Sequence, residues 1–293
     1  MSRSIHLRFG RLPSGLVSYP RVLFTRRPAL DAVKDPPEFH AHVEQVALAA
    51  GDVARYARVC GFDGSTVVPA TYPHILAAPL HLKIFAAAAF PLRPMGLLHV
   101  ANRIETLGKL AVGMTVAVDV AVRGYRNTDA GWAFDLESQL SSRGKPVWRE
   151  TSSYLSRWED ASERPGGRPP RPPRVPRHAQ VLDEFDVTLR TAWDYARVSW
   201  DYNPIHLSDP TARLFGLRGA ISHGMWSLAR LLARPCAPLP ARTEIDARFL
   251  VPVSLPARVA VKEWSEEGGT RRALCDARSG RAHLYVALGP SAA

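Results

Sequence analysis

An aspartate and a histidine five positions apart, Asp201 and His206, flank an Asn203-Pro204 turn, and a His223-Gly224 pair follows farther along the chain. A carboxylate and an imidazole within reach of one water can take a proton from it and deliver a proton elsewhere. A glycine at a helix start leaves its N–H bare to approach a developing oxyanion, with the helix dipole behind it. Together these parts can move water on or off a carbon activated by a neighbouring carbonyl. Pro204 breaks any helix running through Asp201 and His206, so the pair projects from a turn rather than from the i,i+4 face of a metal-binding helix.

The surrounding residues fit that plan. Asn203 is a type that bonds the backbone locally in such a turn. Ser208-Asp209-Pro210 reads as an N-cap and first helical position, with Gly216 as the stop of a short lid helix. Ser222 reads as a cap or as a hydrogen-bonding group near the substrate carbonyl, and His223 as the residue that orients the helix start. Asp201 by itself could be a turn residue only; beside His206 and His223-Gly224 it reads as chemical. A metal site built from Asp201, His206 and His223 matches no known ligand spacing and is not expected. The chain has no G-x-S-x-G, Walker A or G-x-G-x-x-G motif, which leaves serine-hydrolase, nucleotide-hydrolase and dinucleotide readings without support.

Residues 199–212 resemble the hydratase motif of the MaoC-like acyl dehydratases, also known as (R)-specific enoyl hydratases or hydratase 2. Ser199, Asp201, Asn203, Pro204, His206 and Ala212 match the motif in register, and His223-Gly224 stands where the family has a His-Gly pair opening its central helix. The family's Gly ahead of the Asp is Trp200 here. The resemblance implies an α+β double hot-dog fold with the motif in the second repeat alone. It also implies Asp201 and His206 as the catalytic pair, with the Gly224 amide as oxyanion donor. Asn203, Ser222, His223 and Trp200 are expected against the substrate. The implied reaction interconverts trans-2-enoyl and (3R)-3-hydroxyacyl thioesters, needs no metal or redox cofactor, and acts on an acyl group carried by CoA or an acyl carrier protein. Two other readings stay open: a hot-dog thioesterase using the same Asp, and a silent acyl-binding subunit whose site Trp200 plugs.

The rest of the sequence concerns how such a site is housed. The 293 residues, 46% hydrophobic, are ample for two ordinary domains. No apolar run approaches the roughly 18 residues of a membrane span, so the cytoplasm is the default compartment. Cys60, Cys236 and Cys275 are widely separated, without ligand spacing, and read as buried free thiols. Of the net charge of +11, five Arg lie in the Pro/Gly-rich stretch 164–177, which has no acid. The modest remainder suits an anionic carrier, and no nucleic-acid motif is present.

That Arg/Pro/Gly stretch can form neither helix nor sheet and divides the chain into 1–160, a linker at 161–178, and 179–293. Residues 42–60 align without gaps on 181–199, both blocks ending Tyr-Ala-Arg-Val, which suggests a duplication. Each half then carries a His (His74, His223) heading an apolar helix, followed by four β-like runs separated by turn residues. Two repeats can pair within one chain, so a monomer or a homodimer would serve. The same offset puts Phe62 and Val67 where the second half has Asp201 and His206, so the first half lacks the motif. Its apolar interior, with Pro79, Ala86 to Ala89 and Phe90, is expected to hold an acyl tail. His74, His81 and His99 have no acidic partner nearby in sequence and read as structural. Arg213 and Arg218 read as a solvated face.

Overall fold

The computed structural model describes residues 4–15, 18–24, 36–62, 67–94, 96–157, 173–233, 239–266 and 269–291. Most of the 161–178 linker, and Cys236, lie outside the described residues. The chain builds β1 (Ser4–Phe9), α1 (Tyr19–Phe24), β2 (Glu38–Ala47), α2 (Ala50–Cys60), α3 (Tyr72–Ala86), β3 (Leu98–Thr106), β4 (Thr115–Thr128), β5 (Gly131–Ser142) and β6 (Lys145–Arg157). It continues with β7 (Gln180–Val187), α4 (Leu189–Ser199), a 3-10 turn (Pro204–His206), α5 (Asp209–Arg213), α6 (Gly224–Leu232), β8 (Thr243–Phe249), β9 (Ala257–Glu266), β10 (Gly269–Asp276) and β11 (Ala282–Pro290).

All strands join one sheet in the order β1-β2-β4-β5-β6-β3-β8-β11-β10-β9-β7. Leaving β1 aside, the order runs 2-4-5-6-3 from one end and 7-9-10-11-8 from the other, so each set of five follows the same plan. The two sets meet where β3 pairs antiparallel with β8, at Ile104 opposite Ile245, both fully buried. The strands form because their apolar residues alternate: Val116, Val118, Val120 and Val122 of β4 all point into the core. The four runs expected in each half are present as β3 to β6 and β8 to β11. The sequence pattern did not mark β1, β2 or β7 as strands; β1 pairs in parallel with β2.

Two helices have their buried faces all around rather than along a stripe. In α3 the buried set runs from Tyr72 to Phe85, and in α6 from Met225 to Leu232. A helix apolar around its circumference must be enclosed, and each is wrapped by its own set of strands. The two Tyr-Ala-Arg-Val boxes fall at the ends of α2 and α4, which pack on each other with Tyr56 and Tyr195 rings 6.2 Å apart. Cys60 and Cys275 are buried free thiols. Among the described residues, no helix is long and apolar enough to cross a membrane.

Across the two halves, Trp226 of α6 donates from its indole to the Val59 carbonyl at the end of α2, 3.1 Å away. Trp226 is 3% exposed, so truncation leaves a cavity as well as an unpaired carbonyl. Trp226→Ala is expected to cost about 3–5 kcal/mol, read as a lowered midpoint of urea unfolding; a shift below about 1 kcal/mol would show that this joint carries little of the fold.

Candidate active site

The site begins where α4 stops. Ser199 at the helix end donates to the Tyr195 carbonyl (2.8 Å) and accepts from the Asp201 amide (3.2 Å). Trp200 takes the left-handed conformation, φ 60° and ψ 17°, which turns the chain out of the helix. A side chain pays about 1–2 kcal/mol there that glycine does not, which accounts for the family's usual Gly. Asp201 Oδ1 accepts from the Asn203 amide (3.2 Å), and Asn203 Oδ1 accepts from Ile205 (3.4 Å), capping the 3-10 turn. These two short bonds set the direction of Asp201 and place His206 one turn later.

His206 is then held from outside its own turn. Its Nδ1 donates to the Ile221 carbonyl at 2.8 Å, while the Ile221 amide donates back to the Ile205 carbonyl at 3.1 Å. A carbonyl only accepts, so Nδ1 carries the proton and Nε2 keeps its lone pair. The expected short helix is present as α5, with Ser208 accepting from the Thr211 amide (3.3 Å) and Gly216 at φ 77° ending the turn beyond it. Asp209 ties this helix to the approach of α6 by accepting from the Ala220 amide (2.8 Å).

The rings of His206 and His223 stack with centroids 3.8 Å apart. His223 Nε2 donates to the Asp201 backbone carbonyl at 3.0 Å and lies 4.0 Å from Asp201 Oδ2. Asp201, His206 and His223 each bring a ligand-type atom within 4.8 Å of the others. Two imidazoles on one ion aim their in-plane lone pairs at a common point; nearly parallel rings face to face do not, so the group suits a shared proton better than a metal. Burial drives His206 below its ordinary value despite the Asp201 carboxylate. Burial together with His206 takes His223 down to about 3. Burial pushes Asp201 the other way, but His223, His206, the Asn203 amide and the Tyr19 hydroxyl outweigh it and hold the carboxyl below its usual value. At neutral pH the site is therefore a carboxylate facing neutral imidazoles.

Gly224 opens α6, and no side chain caps the helix start. A Cβ on Gly224 would stand 3.1 Å from the Phe249 ring, a tight contact that the glycine avoids while leaving its amide uncovered. Ser222 is 3.4 Å from both the His223 carbonyl and the Ser227 hydroxyl, which ties it to the helix start.

Asp201, Asn203, His206, Ser222, His223 and Gly224 line one cavity of about 370 Å³ shared by both halves of the chain. Ile75, Ala78, Pro79, Leu82 and Phe85 of α3 form its apolar side. This corrects the expectation for Ala86 to Ala89 and Phe90: Ala88 and Ala89 are exposed, and Phe90 is packed in the core against Phe85 and Phe134. The residues facing the cavity are one and two turns earlier on the same helix, where its axis passes the site. Pro79 does line it. Trp200 lies at the rim with 51% of its surface exposed, so its indole does not fill the pocket. Arg213 and Arg218 are exposed.

Two groups escaped the sequence. Tyr19 of α1 donates its hydroxyl to Asp201 Oδ1 at 3.1 Å across 182 residues. His74 pairs with Glu150 of β6 at 2.9 Å, an acid 76 residues away. Neither separation carries a sequence signal; only the buried placement of Glu150 inside an alternating strand hints at a partner.

Comparison with known proteins agrees with the geometry. The family description "MaoC like domain" matches residues 171–283. The 3-hydroxyacyl-thioester dehydratase X of Mycobacterium tuberculosis (strain ATCC 25618 / H37Rv) is 31% identical over 277 residues, 94% of this chain and 98% of its own. The crystal structure of HtdX of Mycobacterium tuberculosis superposes with a TM-score of 0.74 at 28% identity, covering 86% of this chain and 99% of that one. A MaoC-like dehydratase from Phytophthora capsici shares the fold at a TM-score of 0.69 and 21% identity, over 90% of this chain and 99% of its own. The fold is the α+β double hot-dog, and the chain belongs to the MaoC-like dehydratase family. It is a dehydratase-class enzyme.

The Tyr19 bond favours ionised Asp201, so its removal raises the carboxyl pKa. Tyr19→Phe is expected to move the acidic limb of the pH–rate profile to higher pH and to lower kcat/KM by about tenfold. An unmoved limb would show that the bond does not tune the carboxylate.

Proposed function

We propose that the chain is a hydro-lyase interconverting trans-2-enoyl and (3R)-3-hydroxyacyl thioesters, carried on CoA or an acyl carrier protein. The observation that carries this reading is the convergence of ionised Asp201, the free Nε2 of neutral His206 and the uncapped start of α6 in one cavity. Water hydrogen-bonded to the Asp201 carboxylate and His206 Nε2 adds its oxygen to C3 as its proton passes to Nε2. Charge building on the thioester oxygen is met by the Gly224 amide, a donor of a kind worth about 3 kcal/mol of barrier. The imidazolium so formed faces Asp201, which stabilises it, and returns the proton to C2. Both transfers come from one side of the double bond, so addition is syn. The reverse sequence expels water.

In this reading Asn203 shapes the turn, His223 holds the Asp201 backbone, and Ser222 and the Trp200 rim flank the thioester. Residues 1–160 and 179–293 act as two repeats, the first giving the acyl chain its room. The first group of tests uses crotonyl-CoA and longer enoyl-CoA substrates. Loss of enoyl absorbance without free-thiol release is expected; thiol release without loss of the enoyl would instead mark a thioesterase, and neither signal a silent subunit. Asp201→Asn and His206→Ala are each expected to reduce kcat at least a thousandfold with the circular dichroism unchanged. Chain length tests the apolar side: Ala78→Phe should shift the preference to shorter enoyl chains, and Ala88→Phe, in the exposed turn after the helix, should not. Identical length profiles for the two variants would remove α3 from the acyl path.

A further inference from the structure

The histidine heading the first central helix has a different electrostatic life from the one heading the second. His74 Nδ1 lies 2.9 Å from both oxygens of Glu150, and Asn102 donates to Glu150 Oε1 at 2.7 Å. The two residues are 8% and 2% exposed. Burial works against a charged His74, but Glu150 outweighs it and raises the ring above its ordinary value. Burial likewise opposes ionised Glu150, yet His74 brings it down to about 2. Nearby His81 and His99 are pushed to about 3 by burial and by the charge on His74. One carboxylate–imidazole pair thus sits among neutral rings.

Stability does not account for that pair, because apolar residues of the same volume commonly serve a core as well or better. Its placement is informative. His74, His81, His99 and Tyr154 line the same cavity as Asp201 and His206, whereas Glu150 stands behind His74, outside the lining. Among the described residues His74 Nε2 has no hydrogen-bond partner. The pair therefore presents an oriented, charge-assisted N–H to the cavity. It lies beyond the oxyanion end of the site: Phe249 packs on Gly224, His99 is 4.8 Å from Phe249, and His74 is 6.1 Å from His99.

We propose that His74, held by Glu150, is a subsite for a neutral oxygen, a hydroxyl or a ketone, borne on the acyl chain of the substrate. This rests on the hydratase reading and names its substrate class. Charge selects the ligand. The two carboxylates, Glu150 and Asp201, are set against the His74 ring and Arg157 at the cavity mouth, which leaves no excess of positive charge to hold a chain carboxylate. A plain alkyl chain would bury the Nε2–H without a partner. A hydroxyl or ketone oxygen accepts the bond and adds no charge, and sites built to bond such a group reject analogues lacking it.

The test compares trans-2-enoyl-CoA substrates of equal length, unsubstituted or with a ketone or hydroxyl moved one carbon at a time along the chain. The best-placed oxygen is expected to raise kcat/KM about tenfold or more over the plain chain in the wild type. The double variant His74→Phe/Glu150→Leu, which leaves no unpaired charge, should bring that ratio to about one while still turning over the plain chain. Glu150→Gln, which keeps the shape of the pair, should lower the ratio as well. Calorimetric binding of the corresponding saturated acyl-CoA pair reads the same preference without turnover. Equal binding and turnover for every oxygen position, or a preference unchanged in both variants, overturns the subsite. Absence of hydration on all chains with the binding preference intact overturns the hydratase reading and leaves the subsite standing.

Discussion

The bond from His206 Nδ1 to the Ile221 carbonyl decides what this site can be. It consumes one ring nitrogen and thereby leaves the other with a lone pair, while burial keeps the ring from holding a proton at neutral pH. A histidine in that state is able to take a proton from water. The bond also laces the turn after α4 to the strand-like approach to α6, so the geometry that selects the tautomer is the geometry that brings His206 opposite the helix start. Asp201 is fixed separately, by Ser199, the Asn203 amide and Tyr19. Among the described residues its negative charge has no cationic partner in contact, which in the proposed reaction leaves it free to stabilise an imidazolium.

Two similar halves have been given opposite electrostatic assignments. In the second, the histidine at the head of the central helix is neutral and spends its donor on the Asp201 carbonyl. In the first, β6 sets Glu150 beside the equivalent histidine, and the carboxylate raises that ring above its ordinary value despite its burial. In the proposed reaction the same helix-in-sheet frame offers one wall that moves protons and another that presents a fixed donor. The cavity between them is lined by both halves, and the apolar side of α3 completes it.

Much of the second half was legible because its chemistry is local. Asn203, Pro204 and Ser208 act over two to four residues, and each adopts the role its type favours. The alternation of the strands and the all-round apolar character of α3 and α6 were equally readable, since both report burial directly. The cavity wall was placed one to two turns too late on α3, because an apolar helix has no polar residue to mark which side meets a void. Trp200 was a question the chain could raise and not answer: its left-handed backbone swings the indole to the rim.

By itself the sequence determined the motif, the turn that carries it, the buried helices and the family. Tertiary structure decided that Tyr19 reaches Asp201, that Glu150 pairs with His74, and that the two central helices face a common cavity. The reason is one of range. Turns, caps and periodicity are written by residues a few positions apart, whereas a pKa is set by whatever charge, donor or apolar wall the fold brings within a few ångströms, regardless of how far away it lies along the chain.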